Sequence, residues 1–131
     1  MWRVMIADDE PYIREGMEKL IDWKSLGCEL VYSAGNGQEL MEEIKREKPD
    51  IIIADIRMPL MSGLEVAQYI CEHQLDIEVI ILTAYADFQY AKEAIRCQVS
   101  DYIVKTSALE DIPAAIEKLK KKLEERQLSI Y

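Results

Sequence analysis

Two runs, Ile51-Ile52-Ile53-Ala54 and Val79-Ile80-Ile81-Leu82, contain no polar residue at all. A strand with one face in water alternates polar and apolar side chains. Runs like these therefore belong to strands covered on both faces, the condition of a parallel sheet packed between helices. Shorter strand-like runs occur at Arg3–Ala7, Leu30–Tyr32 and Tyr102–Val104. Between them lie helical periods: Ile13, Met17, Leu20 and Ile21; then Leu40, Met41 and Ile44; then Leu64, Ala67, Ile70 and Cys71; then Phe88, Ala91, Ala94 and Ile95. Ile112, Ile116, Leu119 and Leu123 make the last. Strands and helices alternating from end to end predict an α/β domain of βαβ units around a parallel sheet.

Local signals place the helix ends. Asp9 is the expected N-cap of the first helix, with Pro11 in its first turn, where the missing N–H costs nothing. Gly35-Asn36-Gly37 ends the second strand and opens the second helix. Ser62 with Glu65 three residues on spells a capping box for the third. Ser107 and Glu110 spell another, but Pro113 is costly inside a helix, so the last helix is expected to start near Asp111.

With 131 residues, half of them hydrophobic, the chain can bury one core and is too short for two ordinary domains. The expected domain is 1–126, with 127–131 a tail or the start of a linker. A net charge of −9 and a pI of about 4.7 exclude an electrostatic footprint for nucleic acid or an anionic membrane. Cys28, Cys71 and Cys97 are odd in number and widely spaced, which points to reduced, mostly buried thiols rather than a disulfide framework or zinc site. The opening MWRVMIADDE is neither a signal peptide nor a membrane span, and a cytoplasmic location is expected.

The chemistry sits where the strands end. Asp8 and Asp9 follow the first, Asp55 the third, Thr83 the fourth and Lys105 the fifth. Parallel strands of an open α/β sheet deliver their C-terminal ends to one crevice. Taken singly these residues are ordinary: an acidic helix start, a β-branched strand residue, a solvated lysine. Asp55 is less so, because an acid directly after a buried strand needs a partner. Together, crowded carboxylates raise one another's pKa, and a hard divalent cation such as Mg²⁺ relieves that crowding. Such a site suits phosphoryl transfer, with Asp55 as nucleophile, Asp8 and Asp9 on the metal, and Lys105 and Thr83 on phosphoryl oxygens.

The segments IADDE, ADIRMPLMSG, ILTAY and SDYIVK resemble those of the bacterial response regulator receiver domain, and the resemblance covers essentially the whole chain. It implies a flavodoxin-like, doubly wound five-stranded parallel sheet ordered 2-1-3-4-5 with five helices. It also implies phosphorylation of Asp55 by a sensor histidine kinase, with Mg²⁺ held by Asp8, Asp9, Asp55 and the backbone carbonyl of Arg57. Thr83 and Tyr102 would be the switch pair, and Lys105 the phosphate partner. LIDWKSLGCELVYSAGNGQEL is similar to receivers that carry an AraC-type helix-turn-helix domain. On that resemblance DNA is reached only through an effector domain outside this sequence, and a homodimer through helices four and five is expected. Three features depart from the family pattern: Thr106 stands where proline usually follows the lysine, Gln98 stands where glycine commonly ends the fourth helix, and Arg57 and Tyr85 flank the site.

Other conspicuous residues have plain explanations. His73 is a lone solvated histidine, the Lys118–Lys122 run an exposed helix face, Trp23 a packing anchor, and the methionines core fillers. Competing functions are a stand-alone receiver or phosphorelay intermediate, a Mg²⁺-dependent aspartyl phosphatase, and a flavodoxin-type carrier. Arg57 departs from the DxD pattern of the phosphatases, and no phosphate loop for FMN follows the first strand.

Overall fold

A computed structural model describes residues 1–84 and 88–130, with the side chains of Phe88, Tyr90, Ser129 and Ile130 left aside; Tyr85 lies outside the described residues. The strands are β1 (Trp2–Ala7), β2 (Cys28–Ala34), β3 (Ile51–Asp55), β4 (Glu78–Thr83) and β5 (Asp101–Val104). The helices are α1 (Pro11–Leu20), α2 (Gly37–Glu47), α3 (Gly63–Glu72), α4 (Phe88–Arg96) and α5 (Ala108–Ile130). The strands form one sheet in the order β2-β1-β3-β4-β5, every pair parallel. No helix among the described residues is long and apolar enough to cross a membrane.

Because successive strand side chains point to opposite faces, each apolar run supplies two cores at once. Ile51, Ile53, Ile80 and Leu82 face α1 and α5, meeting Met17, Ile112, Ile116, Leu119 and Leu123. Ile52, Ala54, Val79 and Ile81 face α2, α3 and α4, meeting Leu40, Ile44, Leu64, Ile70 and Ala94. Trp23 is buried against the first core and its indole N–H donates to the Met17 carbonyl at 3.1 Å, which fixes the connector after α1.

Several local expectations are corrected. Leu20, the last residue of α1, is 70% exposed, because it lines an open groove between α1 and the start of α5; Ile21, in extended backbone, turns back into the core. Ile13 is only partly buried. Ile95 is 77% exposed, since α4 turns Ala94 into the core, with half-buried Ala91 three residues before it on the same face. Only Cys28 is buried; Cys71 and Cys97 are half-buried, and all three are free thiols. Asp9 does not cap α1: Glu10 stands at that position without a side-chain cap, and the N–H of Glu10 is taken by the Asp8 carboxylate at 2.9 Å. Helix α5 starts at Ala108, after a 3₁₀ turn over Lys105–Ser107, so Pro113 is its sixth residue. A proline there leaves the Leu109 carbonyl without its helical donor. Burial of Ala108, Ile112, Ala115 and Ile116 holds the helix through it. The Ser107 hydroxyl donates to Asp111 at 2.6 Å rather than capping.

The caps of α2 and α3 form as expected, Asn36 accepting from the N–H of Glu39 at 2.8 Å and Ser62 from that of Glu65 at 3.1 Å. Helix α4 ends in a full Schellman pair, Gln98 N–H to Ile95 O at 3.0 Å and Val99 N–H to Ala94 O at 3.1 Å. Gln98 adopts φ 57°, the left-handed conformation that glycine takes without strain, and the Lys105–Thr106 peptide is trans. Relief of left-handed strain, about 1–2 kcal/mol, outweighs the backbone entropy glycine adds, about 0.5–1 kcal/mol. Gln98→Gly should therefore stabilise the protein by about 0.5–1 kcal/mol, read as a higher urea midpoint with an unchanged slope.

At the opposite edge from the strand C-termini, Glu78 is a buried carboxylate at the start of β4. It accepts from the Ser100 hydroxyl and the Arg126 guanidinium and lies 3.3 Å from the Lys122 ammonium, tying the far half of α5 to the sheet. Burial pushes its carboxyl up, but those three donors outweigh burial and hold it below the ordinary value of 4.5. A depressed carboxyl adds stability above that value and loses it as pH falls through the lower folded value. Glu78→Gln should cost about 1.5–3 kcal/mol at neutral pH and flatten the loss of stability below pH 4.5, measured by urea melts at a series of pH values.

Candidate functional site

The sheet register sets the site. Ala7 pairs with Ala54, so Asp8 and Asp55, one residue further on, stand side by side at the ends of β1 and β3. Thr83 ends β4 opposite Val104, and Lys105 follows β5 directly. Asp8 is fully buried, Asp55 and Thr83 are nearly so, and Asp9 and Glu10 are exposed at the rim.

Backbone contacts hold Asp8 from two sides. Its N–H donates to Ala34 O at 3.1 Å, and its carbonyl accepts from the Arg14 guanidinium at 2.8 Å. The Lys105 ammonium lies at the centre of three carboxylates, 2.8 Å from Asp55 Oδ2, 2.9 Å from Glu10 Oε1 and 3.0 Å from Asp8 Oδ2. The first two contacts are aligned hydrogen bonds. The third is close without alignment, leaving Asp8 Oδ2 buried with no hydrogen-bond partner. The other oxygen of Asp55, Oδ1, accepts weakly from the Arg57 N–H at 3.4 Å.

Electrostatics follow from this crowding. Burial raises the Asp8 carboxyl above its ordinary value, against the opposing pull of the Glu10 N–H and Lys105. Burial also raises Asp55, and the neighbouring Asp8 charge adds to the rise. Burial alone would lower Lys105, but its close contacts with the Asp55, Glu10 and Asp8 carboxylates outweigh it and drive the ammonium well above its ordinary value. One ligand atom from each of Asp8, Asp9, Glu10 and Asp55 lies within 4.8 Å of the others, a set that could bind a metal ion. All are hard oxygen donors, and Asp8 Oδ2, buried without a hydrogen bond and with only the Lys105 ammonium 3.0 Å away, is an atom a cation would satisfy.

Thr83 and Tyr102 lie on the same face of the sheet. Tyr102 pairs in register with Ile81, two residues before Thr83, and packs partly buried on the α2–α4 side. Arg57 is exposed just beyond β3. Glu10 and Arg14 are additional members that the strand-end argument misses, because both lie past the end of β1; the only trace of Glu10 is the unbroken acidic run Asp8-Asp9-Glu10.

Residues 4–117 match the response regulator receiver domain. The chain belongs to that family. This receiver is 36% identical over 119 residues to the uncharacterized transcriptional regulatory protein YesN of Bacillus subtilis, covering 91% of this chain and 32% of that protein. It is 36% identical over 127 residues to the transcriptional regulatory protein HptR of Staphylococcus aureus, covering 97% of this chain and 50% of that protein. The receiver thus spans a third to a half of these curated relatives. Among solved structures it is similar to the REC domain of AraT, a response regulator from Geobacillus stearothermophilus (TM-score 0.88, 40% identity, 96% of this chain and 98% of that one). It is also similar to a DNA-binding response regulator of the LuxR family from Staphylococcus aureus (TM-score 0.83, 33% identity, 90% and 98%). The flavodoxin-like topology implied by the sequence motifs is the one these structures share.

Proposed function

We propose that Asp55 of this receiver accepts a phosphoryl group from a sensor histidine kinase and that the domain thereby switches a surface controlling transcription. The observation that carries this reading is the Asp55 carboxylate, set at a strand end with one oxygen on Lys105 at 2.8 Å and the other lightly held. The lightly held oxygen is free to attack phosphorus as the bond to the donor nitrogen breaks. Lys105 then keeps its charge beside the transferred oxygens, and the Thr83 hydroxyl donates to another. Asp8, Asp9, Asp55 and the Arg57 carbonyl would hold Mg²⁺, which when bound neutralises charge on the phosphoryl group.

Movement of Thr83 toward the phosphoryl group opens space on the face shared with Tyr102, biasing the surface of α4, β5 and α5 between two states. Self-association through the α4/α5 face would then bring two attached DNA-binding domains together. The sequence of the connector after α1 favours an AraC-type helix-turn-helix effector, with 1–126 as the receiver unit and 127–131 leading toward that domain in a cytoplasmic protein. A native gene that stops at codon 131 would overturn the effector assignment.

The direct test is intact-mass measurement after incubation with acetyl phosphate. One phosphoryl group located on Asp55 and abolished by EDTA is expected; stoichiometric labelling in EDTA, or steady turnover of a phosphate ester, would overturn the reading. Asp9→Asn removes a charged ligand while leaving the buried pair intact. It should weaken Mg²⁺ binding at least roughly tenfold, since losing outer-shell groups alone costs that much, as read by calorimetric titration.

A further inference from the structure

Two grooves open along the seam where α3 meets α4. One, of about 660 Å³, runs toward the strand C-termini past Arg57, Gln68 and Arg96. The other, of about 330 Å³, runs toward the opposite edge past Leu75, Glu78 and Lys122. The two linings have only Cys71 and Cys97 in common. These side chains form the saddle between the grooves, one from the last turn of α3 and one from the residue after α4. Both side chains line both grooves, so the two thiols are neighbours across the seam, where a disulfide would hold their Cβ atoms about 3.8 Å apart. Both are half-buried free thiols, so small reagents reach them from either groove. Cys28 is separate, buried in the core on the α1/α5 side of the sheet.

We propose that Cys71 and Cys97 are a thiol pair that peroxides oxidise to a disulfide joining α3 to α4. Burial, and then the neighbouring Cys71, push the Cys97 thiol up. The Cys71 thiol ionises and its thiolate attacks the peroxide; an S–O bond forms, the O–O bond breaks, and the departing alkoxide or hydroxide takes up that thiol proton and leaves as alcohol or water. The Cys97 sulfur then attacks the sulfenic sulfur; the S–S bond forms, and hydroxide departs to take up the remaining thiol proton as water. Two electrons pass from the sulfurs to the peroxide oxygens. The bridge pins the end of α4 to α3 and stands independently of phosphorylation.

The test exposes the full protein to hydrogen peroxide, alkylates it with iodoacetamide in denaturant, and maps peptides without reduction. An intramolecular Cys71–Cys97 cross-link, with Cys28 alkylated and the link reversed by dithiothreitol, is expected. Cys28→Ser should retain the link, whereas Cys71→Ser and Cys97→Ser should each lose it while keeping the parent's circular dichroism. Alkylation of both Cys71 and Cys97 after peroxide, oxygen adducts on both without a link, or a link that engages Cys28 or a second molecule would each overturn the proposal.

Discussion

The Asp55→Asn protein is expected to take no phosphoryl group from acetyl phosphate at any Mg²⁺ concentration, while the parent is labelled to completion. Asparagine preserves the shape at the end of β3 and removes only the anionic oxygen that attacks phosphorus. The ammonium of Lys105 keeps Glu10 at 2.9 Å and Asp8 at 3.0 Å, so the substitution leaves no buried cation stranded. Stability should therefore stay within about 1 kcal/mol of the parent, and urea melts of the two proteins separate loss of chemistry from loss of fold. Lys105→Ala is the contrasting case, since it leaves Asp8 and Asp55 facing each other without a cation. It should lose stability in EDTA and regain part of it on adding Mg²⁺, because a divalent cation can replace the missing charge. Residual full labelling of Asp55→Asn would move the acceptor to another carboxylate, with Asp8 and Asp9 next in line.

Much of this geometry is legible in the sequence because the strands announce themselves. Ile51–Ala54 and Val79–Leu82 have no polar position, so they lie at the centre of a parallel sheet, and the polar residue that ends each run must lie in the crevice. The misses have local physical causes. Asp8 and Asp9 are interchangeable as cap candidates on spacing alone. Asp8 Oδ1 takes the Glu10 N–H, which leaves Asp9 at the rim beside the other acids. A general rule about proline displaces the expected start of α5 to Asp111, whereas burial of Ala108, Ile112, Ala115 and Ile116 fixes the helix on both sides of Pro113. Leu20 and Ile95 fit a helical period and are exposed because a period identifies a face that is buried only as wide as its neighbours cover. Arg14 could not be found from spacing, since its contact is to a backbone carbonyl six residues earlier.

Three glycines give a second large expected effect, in which one substitution changes sign with place. A Cβ on Gly37, at the start of α2, would stand 1.8 Å from the Met61 carbonyl oxygen; on Gly63, at the start of α3, it would stand 2.3 Å from the Asp55 carbonyl oxygen. Both obstacles are backbone, so relief requires moving a helix away from the end of β3 or the loop that follows it. Overpacking costs about 1–3 kcal/mol and occasionally more, so Gly37→Ala should lose about 3 kcal/mol or more and Gly63→Ala about 2–3 kcal/mol. Gly63→Ala should also slow labelling, because the displaced backbone carries Asp55 itself. Gly16, inside α1, has nothing within 4 Å of the same position. There alanine adds only its helix preference, a gain of about 1 kcal/mol. Urea melts of the three variants read the contrast directly. A Gly37→Ala protein as stable as the parent would mean that α2 is not seated against the loop after β3.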